Sequence, residues 1–471
     1  MIKVYLDWNV MSQMKNGHHN ELKEILLNNP NFLLPFSTSH ISDIFSSYKN
    51  TPEQISIIND DLDFISNLTN ELCFYNNGKR IIIDYYSPKE LFQQNVDEKD
   101  QFNDLSIDGL KNLIGEDELT KNLVGPLFDL LKTIPIEQSL KSAFKNPESA
   151  EMMEEIFPGL KNNPTMGGFF SSFSKMIFNL NELDGYKKLR KTIQTGTGIN
   201  RDKIFDTEDP FKLIEENYKK LGEALSPNNL VNNKNKYAPE WFNKISNEYI
   251  QLDMHGYQED KVNIKKGRKE TFKNTTDDAF HSAFASACNF YIVNDKKSYK
   301  KTKKIYEKLN INTYVVKPNE FLDYYIKFLK KDNYSTELYI FQQILVSDNF
   351  FETKTENGVF KTYLFPYFIF DFFNRLVVFI NKDNEQVTFL SQNKPTNYFV
   401  INLEIERLVN RLISFFGTDI DKKGHLKTDE LKDENWSGRK WKIGDLNLQL
   451  VLANKHAQLY FDIEKPAGNT V

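Results

Sequence analysis

Cysteine is nearly absent from this chain of 471 residues, which contains only Cys73 and Cys288. Two cysteines far apart in the sequence argue against a disulfide framework and against a thiolate zinc site. They suit a reducing compartment, so we expect a cytoplasmic protein. The opening residues, MIKVYLDWNV, lack the long apolar core of a signal peptide, which supports the same expectation.

A positive net charge and a long uninterrupted apolar span are also missing. The formal net charge is -5, so only a local basic patch, and not the overall field, could attract nucleic acid. The most apolar stretch, Val359 to Ile380, is broken by Lys361, Pro366, Asp371 and Arg375. Charged side chains are costly inside a bilayer, so this stretch predicts a buried β-rich segment and no membrane partner.

The pattern of apolar residues predicts a discontinuous α/β core made of residues 1–48 and 250–333. Strand-like and helix-like runs alternate in both pieces, as in proteins whose helices pack on a parallel sheet. The predicted strands are Ile2 to Leu6, Phe32 to Phe36, Phe290 to Val293 and Thr313 to Val316, and one predicted helix is Asn9 to Asn28.

The rest of the chain has a different character. Residues 49–249 carry apolar side chains mostly at helical spacing, which predicts a large all-α insertion with one strand-like run at Ile81 to Ile83. Residues 334–471 contain an amphipathic helix, Ile401 to Phe416, and a later hairpin pattern of alternating apolar residues. This last part is therefore predicted to be an α+β accessory domain.

Acidic residues stand near the ends of the predicted strands. Asp7 and Asp295 directly follow two of them, Asp43 follows the Phe32 strand, and Asp278 lies in the first turn of the helix before the Phe290 strand. Because the carboxyl ends of parallel strands share one edge of a sheet, we expect these carboxylates to converge. Such a group repels itself unless a cation binds, and oxygen donors favour Mg²⁺ or Mn²⁺.

Three segments resemble the PIN-like nuclease family. VYLDWNV resembles its opening strand, which ends in an Asp-x-Asn sequence, and TDDAFHSAFASACNFYIVNDK resembles its later Asp-x-x-His helix with the strand that follows. TYVVKPNEFLDY resembles the closing strand and helix. The match covers about residues 1–48 and 255–330, and the order of the three motifs makes the combination more specific than any one of them.

The resemblance implies a PIN-like parallel sheet with flanking helices and metal-dependent hydrolysis of phosphodiester bonds, with RNA favoured over DNA. It implies that Asp7, Asp43, Asp278 and Asp295 are the catalytic residues and the ligands of Mg²⁺ or Mn²⁺, and that Asn9 supports the site. Two points stay open at this stage. Asp277 competes with Asp278 for the third position, and His281 is expected to orient its helix or Asp278 rather than to act as a base.

Basic residues flank the proposed acids on both sides. Those expected to hold substrate phosphates are Lys296, Lys297, Lys300, Lys301, Lys266 and Arg268. A solvated helix face is an equally good interpretation of the same residues.

Three functional hypotheses follow. The first is a regulated endonuclease, for example a bacterial stress or antiphage effector. The second is a degenerate PIN-like module that binds RNA or protein without cutting it. The third is an interaction protein whose aromatic C-terminal unit is its working surface, and it predicts that the four aspartates lie scattered. A regulatory protein partner or a homo-oligomer is compatible with each hypothesis.

Overall fold

The computed structural model describes residues 1–77, 80–98, 185–199, 201–221, 238–258, 271–330, 347–393, 400–432, 436–453 and 456–463, with isolated positions between 150 and 175. The N-terminal piece alternates strand and helix as predicted. Its elements are β1 (Ile2–Leu6), α1 (Trp8–Lys15), α2 (Asn20–Asn28), β2 (Phe32–Leu33), β3 (Phe36–Ser37) and α3 (Thr38–Ser46).

Two predicted elements of this piece are each divided into two in the structure. The predicted helix from Asn9 to Asn28 is interrupted at Gly17, whose φ of 84° lies in the left-handed region that ends a helix. The predicted strand from Phe32 to Phe36 is split at Pro35, which has no N–H group to donate to a sheet. Its two halves, β2 and β3, belong to different sheets.

The part of the insertion that the structure describes is mainly helical, but the prediction that the insertion is all-α was wrong. Its described elements are α4 (Pro52–Thr69), β4 (Leu72–Asn76), β5 (Ile81–Tyr85), α5 (Pro88–Glu98), α6 (Gly185–Thr197), α7 (Arg201–Ile204), α8 (Pro210–Leu221) and α9 (Glu240–Met254). The predicted strand at Ile81 to Ile83 lies in β5, whereas β4 was missed. A short apolar run such as Leu72 to Phe74 has too few residues for its period to distinguish a strand from a helix.

The second piece of the core follows the predicted order. Its elements are α10 (Phe272–Ala285), β6 (Phe290–Ile292), α11 (Lys296–Leu309), β7 (Tyr314–Val316) and α12 (Pro318–Tyr324), which continues as a π-helical turn, Tyr325–Leu329. Helix α10 begins earlier than expected, because Thr271 caps it through a hydrogen bond from the Asn274 N–H. Asp278 therefore lies in the second turn of α10 and not in its first.

The strands of the two pieces form one parallel sheet in the order β2-β1-β6-β7. Val4 and Leu6 of β1 face one hydrophobic cluster with residues of α1, α2 and α4, while Tyr5 faces a second cluster with residues of α9 and α10. The sheet is thus covered by helices on both faces, as expected for a parallel α/β sheet. A second, three-stranded sheet joins β3 of the core to β4 and β5 of the insertion.

The C-terminal unit is α+β, with a helix on a seven-stranded antiparallel sheet. Its elements are β8 (Phe351–Thr355), β9 (Gly358–Ile369), β10 (Phe373–Asn381), β11 (Gln386–Ser391), α13 (Ile401–Phe416), a 3-10 helix (Thr428–Lys432), β12 (Arg439–Ile443), β13 (Leu446–Ala453) and β14 (His456–Ile463), and the sheet order is β12-β13-β14-β11-β10-β9-β8. The helix α13 has the predicted bounds and is followed by Gly417 with a φ of 81°.

The apolar stretch from Val359 to Ile380 forms β9 and β10, an antiparallel pair, as predicted. The side chains of Phe373 and Leu376 are buried in a cluster with α13. Within the described part of the chain, no helix combines the length and the apolar character needed to cross a membrane.

A buried ion pair joins the accessory unit to the core. Lys3 of β1 donates to Glu404 of α13, and their side chains are only 6% and 2% exposed. Phe368 of β9 extends the contact, because it packs in the same hydrophobic cluster as β1 and β6. The two units are therefore in direct buried contact.

We expect Glu404→Ala to lower the free energy of unfolding by about 3 to 5 kcal/mol, because it leaves the Lys3 ammonium buried without its partner. Urea denaturation followed by circular dichroism measures this change. Glu406→Ala, at an exposed position of the same helix, is the matched control and should change the value by less than about 0.5 kcal/mol. Equal effects of the two substitutions would show that the ion pair does not hold the units together.

Candidate metal centre

Asp7 and Asp295 are neighbours because they follow adjacent strands. Leu6 of β1 pairs with Ile292 of β6, and the backbone N–H of Asp7 donates to the Ile292 carbonyl at 3.0 Å. The Asp7 side chain is buried, with 6% exposure, and accepts a hydrogen bond from the Tyr291 hydroxyl at 3.4 Å. The sheet register therefore sets the position of both acids.

Asp295 also caps a helix. Its Oδ1 accepts hydrogen bonds from the backbone N–H groups of Lys297 and Ser298 at 3.0 and 2.9 Å, at the start of α11. This arrangement fixes the carboxylate and leaves Oδ2 as the oxygen not used by the cap.

Asp278 of α10 interacts with Asp7, Asp43 and Asp295, and the charge of Asp43 also acts on Asp277. The pKa of Asp278 is raised well above its ordinary value by burial, and next by the charges of Asp7, Asp43 and Asp295. The Tyr249 hydroxyl donates to Asp278 Oδ2 at 3.4 Å.

Asp277, the preceding residue of the same helix, has a basic partner. Its Oδ2 lies 3.1 Å from Nζ of Lys273, and the same ammonium group donates to Ser42. Asp277 is therefore an ion-pair partner that ties α10 to α3, and this placement favours Asp278 for the third position of the acidic group.

Asp43 lies in the second turn of α3 and is held by a histidine. His281 Nε2 is 2.9 Å from Asp43 Oδ2, so the imidazole donates and the carboxylate accepts. Burial of the ring lowers the pKa of His281, but the hydrogen bond and the surrounding carboxylates outweigh it and raise the pKa to about 9. His281 therefore orients Asp43, whereas the sequence predicted that it would orient its own helix or Asp278.

A buried polar network stands behind His281. The Tyr5 hydroxyl lies 2.7 Å from His281 Nδ1 and 2.6 Å from Ser37 Oγ. His40 Nδ1 accepts from the Ser37 N–H at 3.0 Å, and its Nε2 donates to the Leu6 carbonyl at 2.8 Å. Burial lowers the pKa of His40 well below its ordinary value, so this ring is neutral with its proton on Nε2.

The sequence prediction missed these supporting residues. Tyr5 alternates with Val4 and Leu6 in an apolar run and was assigned to the core. His40 carried a usable signal, because it precedes Asp43 by three residues and so shares its face of α3. Tyr249 had none, since it belongs to the insertion and meets the site through the packing of α9 on α10 and a hydrogen bond to Ser298 of α11.

Electrostatic interactions connect the four aspartates. Burial raises the pKa of Asp7 to about 6, and the charges of Asp43 and Asp295 add to the effect, while His281 opposes it. Two carboxyls with raised pKa values mark buried negative charge that the protein itself compensates incompletely.

The chemistry of these donors suits a hard divalent cation, because all four are carboxylate oxygens. These four carboxylates do not form a complete set of metal ligands in the structure. Among the residues that the structure describes, no group of three or more His, Cys, Asp or Glu side chains is placed to hold a metal ion. One oxygen of Asp43 and one of Asp295 are engaged by His281 and by α11.

Asn9 contributes through its backbone. Its N–H group favours the ionised form of the Asp7 carboxyl, while its side chain is exposed.

The predicted phosphate-binding residues have different environments. Lys296 is exposed, Lys297 is half-buried beside the cap formed by Asp295, and Lys300 pairs with Asp206 at 2.9 Å. Lys266 and Arg268 lie outside the described residues.

Lys301 must be removed from the predicted phosphate-binding surface. It is 2% exposed and forms an ion pair with Asp253 of α9, which Arg190 also contacts at 3.3 Å. The spacing of Lys301 along α11 places it on the face that packs against the insertion, away from solvent.

No protein-family model, no curated protein and no solved structure matches this chain.

The raised pKa of Asp7 leads to a prediction about pH. The pKa is about 6 in the folded protein against an ordinary 3.8, so between these values the folded state binds the proton more tightly. The stability of the metal-free protein should fall as pH rises through this window and level off above it. The difference corresponds to about 3 kcal/mol.

We therefore expect Asp7→Asn to be more stable than the wild type at pH 7 in a chelator, by up to about 3 kcal/mol, and equally stable near pH 4. Chemical denaturation at both pH values measures this. Asp60→Asn, at an exposed position of α4, should show no such dependence. A loss of stability in Asp7→Asn at pH 7 would contradict the incomplete compensation of charge.

Two lysine substitutions should distinguish a lysine that stabilises the fold from a lysine that contributes only surface charge. Lys301→Met leaves Asp253 with less compensation, and we expect a loss of about 3 kcal/mol in the free energy of unfolding. Lys296→Ala should change that value by less than about 0.5 kcal/mol and weaken binding of single-stranded RNA, with a shallower dependence on salt. Fluorescence anisotropy at several salt concentrations tests the second effect, and an unchanged salt slope would remove Lys296 from the substrate path.

Proposed function

We propose that this protein is a PIN-like, metal-dependent endonuclease that hydrolyses phosphodiester bonds. The observation that carries the proposal is the electrostatic interaction among Asp7, Asp43, Asp278 and Asp295: burial, and then the charges of the neighbouring aspartates, raise the pKa of Asp7 and of Asp278. These residues come from both pieces of a discontinuous core, and a role in packing alone does not account for interacting carboxylates from such distant positions in the sequence. RNA is the favoured substrate because of the resemblance of the motifs to PIN domains.

Asp7, Asp43, Asp278 and Asp295 would hold Mg²⁺ or Mn²⁺, which in such sites activates water and stabilises negative charge on the phosphate. Groups that contact these aspartates have positioning roles. His281 fixes the orientation of Asp43, and the start of α11 fixes Asp295. Lys296 and Lys297 follow Asp295 directly at the start of α11, and their ammonium groups would bind a substrate phosphate.

One observation favours a second candidate, a PIN-like module that binds RNA or protein without cutting it. Oxygens of Asp43 and Asp295 already accept hydrogen bonds, and the described residues contain no preassembled three-ligand group. Under this alternative the histidine and the helix cap replace the cation in compensating the acids.

Cleavage assays with the full chain distinguish the two. We expect single-stranded RNA to be cut in Mn²⁺ or Mg²⁺ and not in a chelator, and the metal should raise the melting temperature of the wild type. Asp7→Asn and Asp278→Asn should each lower the cleavage rate by at least about 100-fold and reduce the metal-induced shift. Asp60→Asn is the control and should retain both.

The second candidate makes the opposite prediction for the same assays. Wild type and both variants would be equally inactive, RNA binding would be indifferent to the metal, and the melting temperature would not respond to Mn²⁺. That combination would exclude the enzymatic function.

A further inference from the structure

A cavity of about 300 Å³ lies between the core and the insertion. Its walls are formed by α3 and α10 of the core and by α5 and β4 of the insertion. Ser42 and Asp277, which line it, are the chain neighbours of Asp43 and Asp278. Its volume is at the lower end of the range for small-molecule sites, roughly 300 to 1,000 Å³, so it has room for one ring system and not for a folded segment.

The floor of this cavity contains a polar atom without a partner. Ser39 is 3% exposed, and among the described residues its hydroxyl oxygen has no hydrogen-bond partner. A buried hydroxyl left unpaired is unfavourable, and such groups usually have a partner in native structures. Because Ser39 lines the cavity, a bound molecule with a hydrogen-bonding edge would supply that partner.

Aromatic rings form part of the lining. Tyr75 and Phe280 are both half-buried there. Each is held by a neighbouring ring, since Tyr75 lies 5.7 Å from Tyr86 and Phe280 lies 5.3 Å from Phe242, measured between ring centroids. Rings fixed in this way offer a surface on which a planar heterocycle can stack.

Amide side chains stand on the α5 wall. Gln94 is exposed and Asn95 is half-buried, and both line the cavity. Amide groups donate and accept at once, which is the property that lets Asn and Gln recognise the edges of bases.

Among the described residues, the lining of the cavity offers no basic side chain to bind a phosphate. Among the described residues that line the cavity, Asp277 is the one charged group, and Lys273 lies 3.1 Å from its carboxylate. The cavity therefore suits an uncharged ring, while any phosphate attached to that ring would lie outside it.

We propose that this cavity binds one unpaired nucleobase of a single-stranded nucleic acid, with the adjoining phosphate outside the cavity and directed to the cation that the acidic group would hold. The inference rests on the proposed function for its choice of ligand. It gives the insertion a role, because α5 and β4 supply the amides and one of the rings. It also accounts for a preference for single strands, since a base held in a duplex cannot enter such a cavity.

Binding measured without catalysis tests the proposal. The probes are fluorescein-labelled single-stranded RNA of eight nucleotides and the same RNA with abasic positions, both in a chelator. We expect the abasic probe to bind the full chain roughly ten-fold more weakly, because stacking on the aromatic rings is lost. A duplex probe should bind no better than the abasic one.

Substitutions assign the effect to the cavity. Asn95→Ala and Tyr75→Ala should weaken binding of the intact probe several-fold to roughly ten-fold and leave binding of the abasic probe unchanged. Gln93→Ala is the matched control, because Gln93 is the neighbour of Gln94 on α5 but is directed to Asp97 at 2.8 Å, outside the cavity. It should bind both probes as the wild type does.

Ser39→Ala keeps the test valid if the larger substitutions disturb folding. It removes a hydroxyl that has no partner among the described residues, so the melting temperature should stay the same or rise while binding of the intact probe weakens a few-fold. A probe containing one 4-thiouridine should photocrosslink to the peptides that contain Tyr75 or Phe280.

The results of these experiments distinguish the base site from the proposed nuclease activity. Equal binding of intact and abasic probes, or crosslinks confined to other peptides, would overturn the base site even if RNA is cleaved. Base-dependent binding that is lost in Asn95→Ala would uphold it even if no cleavage occurs in any metal.

Discussion

Many contacts of the core depend on the negative charge of four aspartates near the carboxyl edge of the parallel sheet. Register places Asp7 and Asp295 side by side, and α10 and α3 add Asp278 and Asp43. The protein compensates part of this charge with its own groups. The His281 imidazole takes up one oxygen of Asp43, and the backbone N–H groups at the start of α11 take up one of Asp295.

Orientation of His281 in turn depends on groups buried deeper in the core. The Tyr5 hydroxyl meets its other ring nitrogen, and Ser37 and His40 hold that hydroxyl from the start of α3. Since His40 also donates to the carbonyl of Leu6, the residue before Asp7, the network connects α3 to the end of β1. A change at any of these positions should reach the acids by altering hydrogen-bond directions, even without contact with a ligand.

The insertion pairs with a strand of the core and packs against its helices. Strand β4 pairs in parallel with β3, and α9 packs on α10. Lys301 of α11 and Arg190 of α6 converge on Asp253 of α9 in a buried ion-pair group. The accessory unit is attached in a comparable way, through Lys3 and Glu404. Lys3 and Asp7 belong to β1 and its immediate end, so one strand links the accessory unit to the acidic edge.

Sequence by itself determined the alternation of strand and helix, the place of Asp7 and Asp295 after their strands, and the bounds of α13, because continuous and periodic apolar runs specify these features locally. Tertiary structure decided what depends on distant partners. It showed that Asp278 interacts with the other aspartates and that Lys301 is buried in an ion pair with Asp253. A helix pattern alone does not say which neighbour a side chain contacts. Tertiary structure also added β4 to a sheet and brought Ser39, Tyr75 and Asn95 to one cavity, because pairing and packing join segments whose spacing along the chain carries no signal.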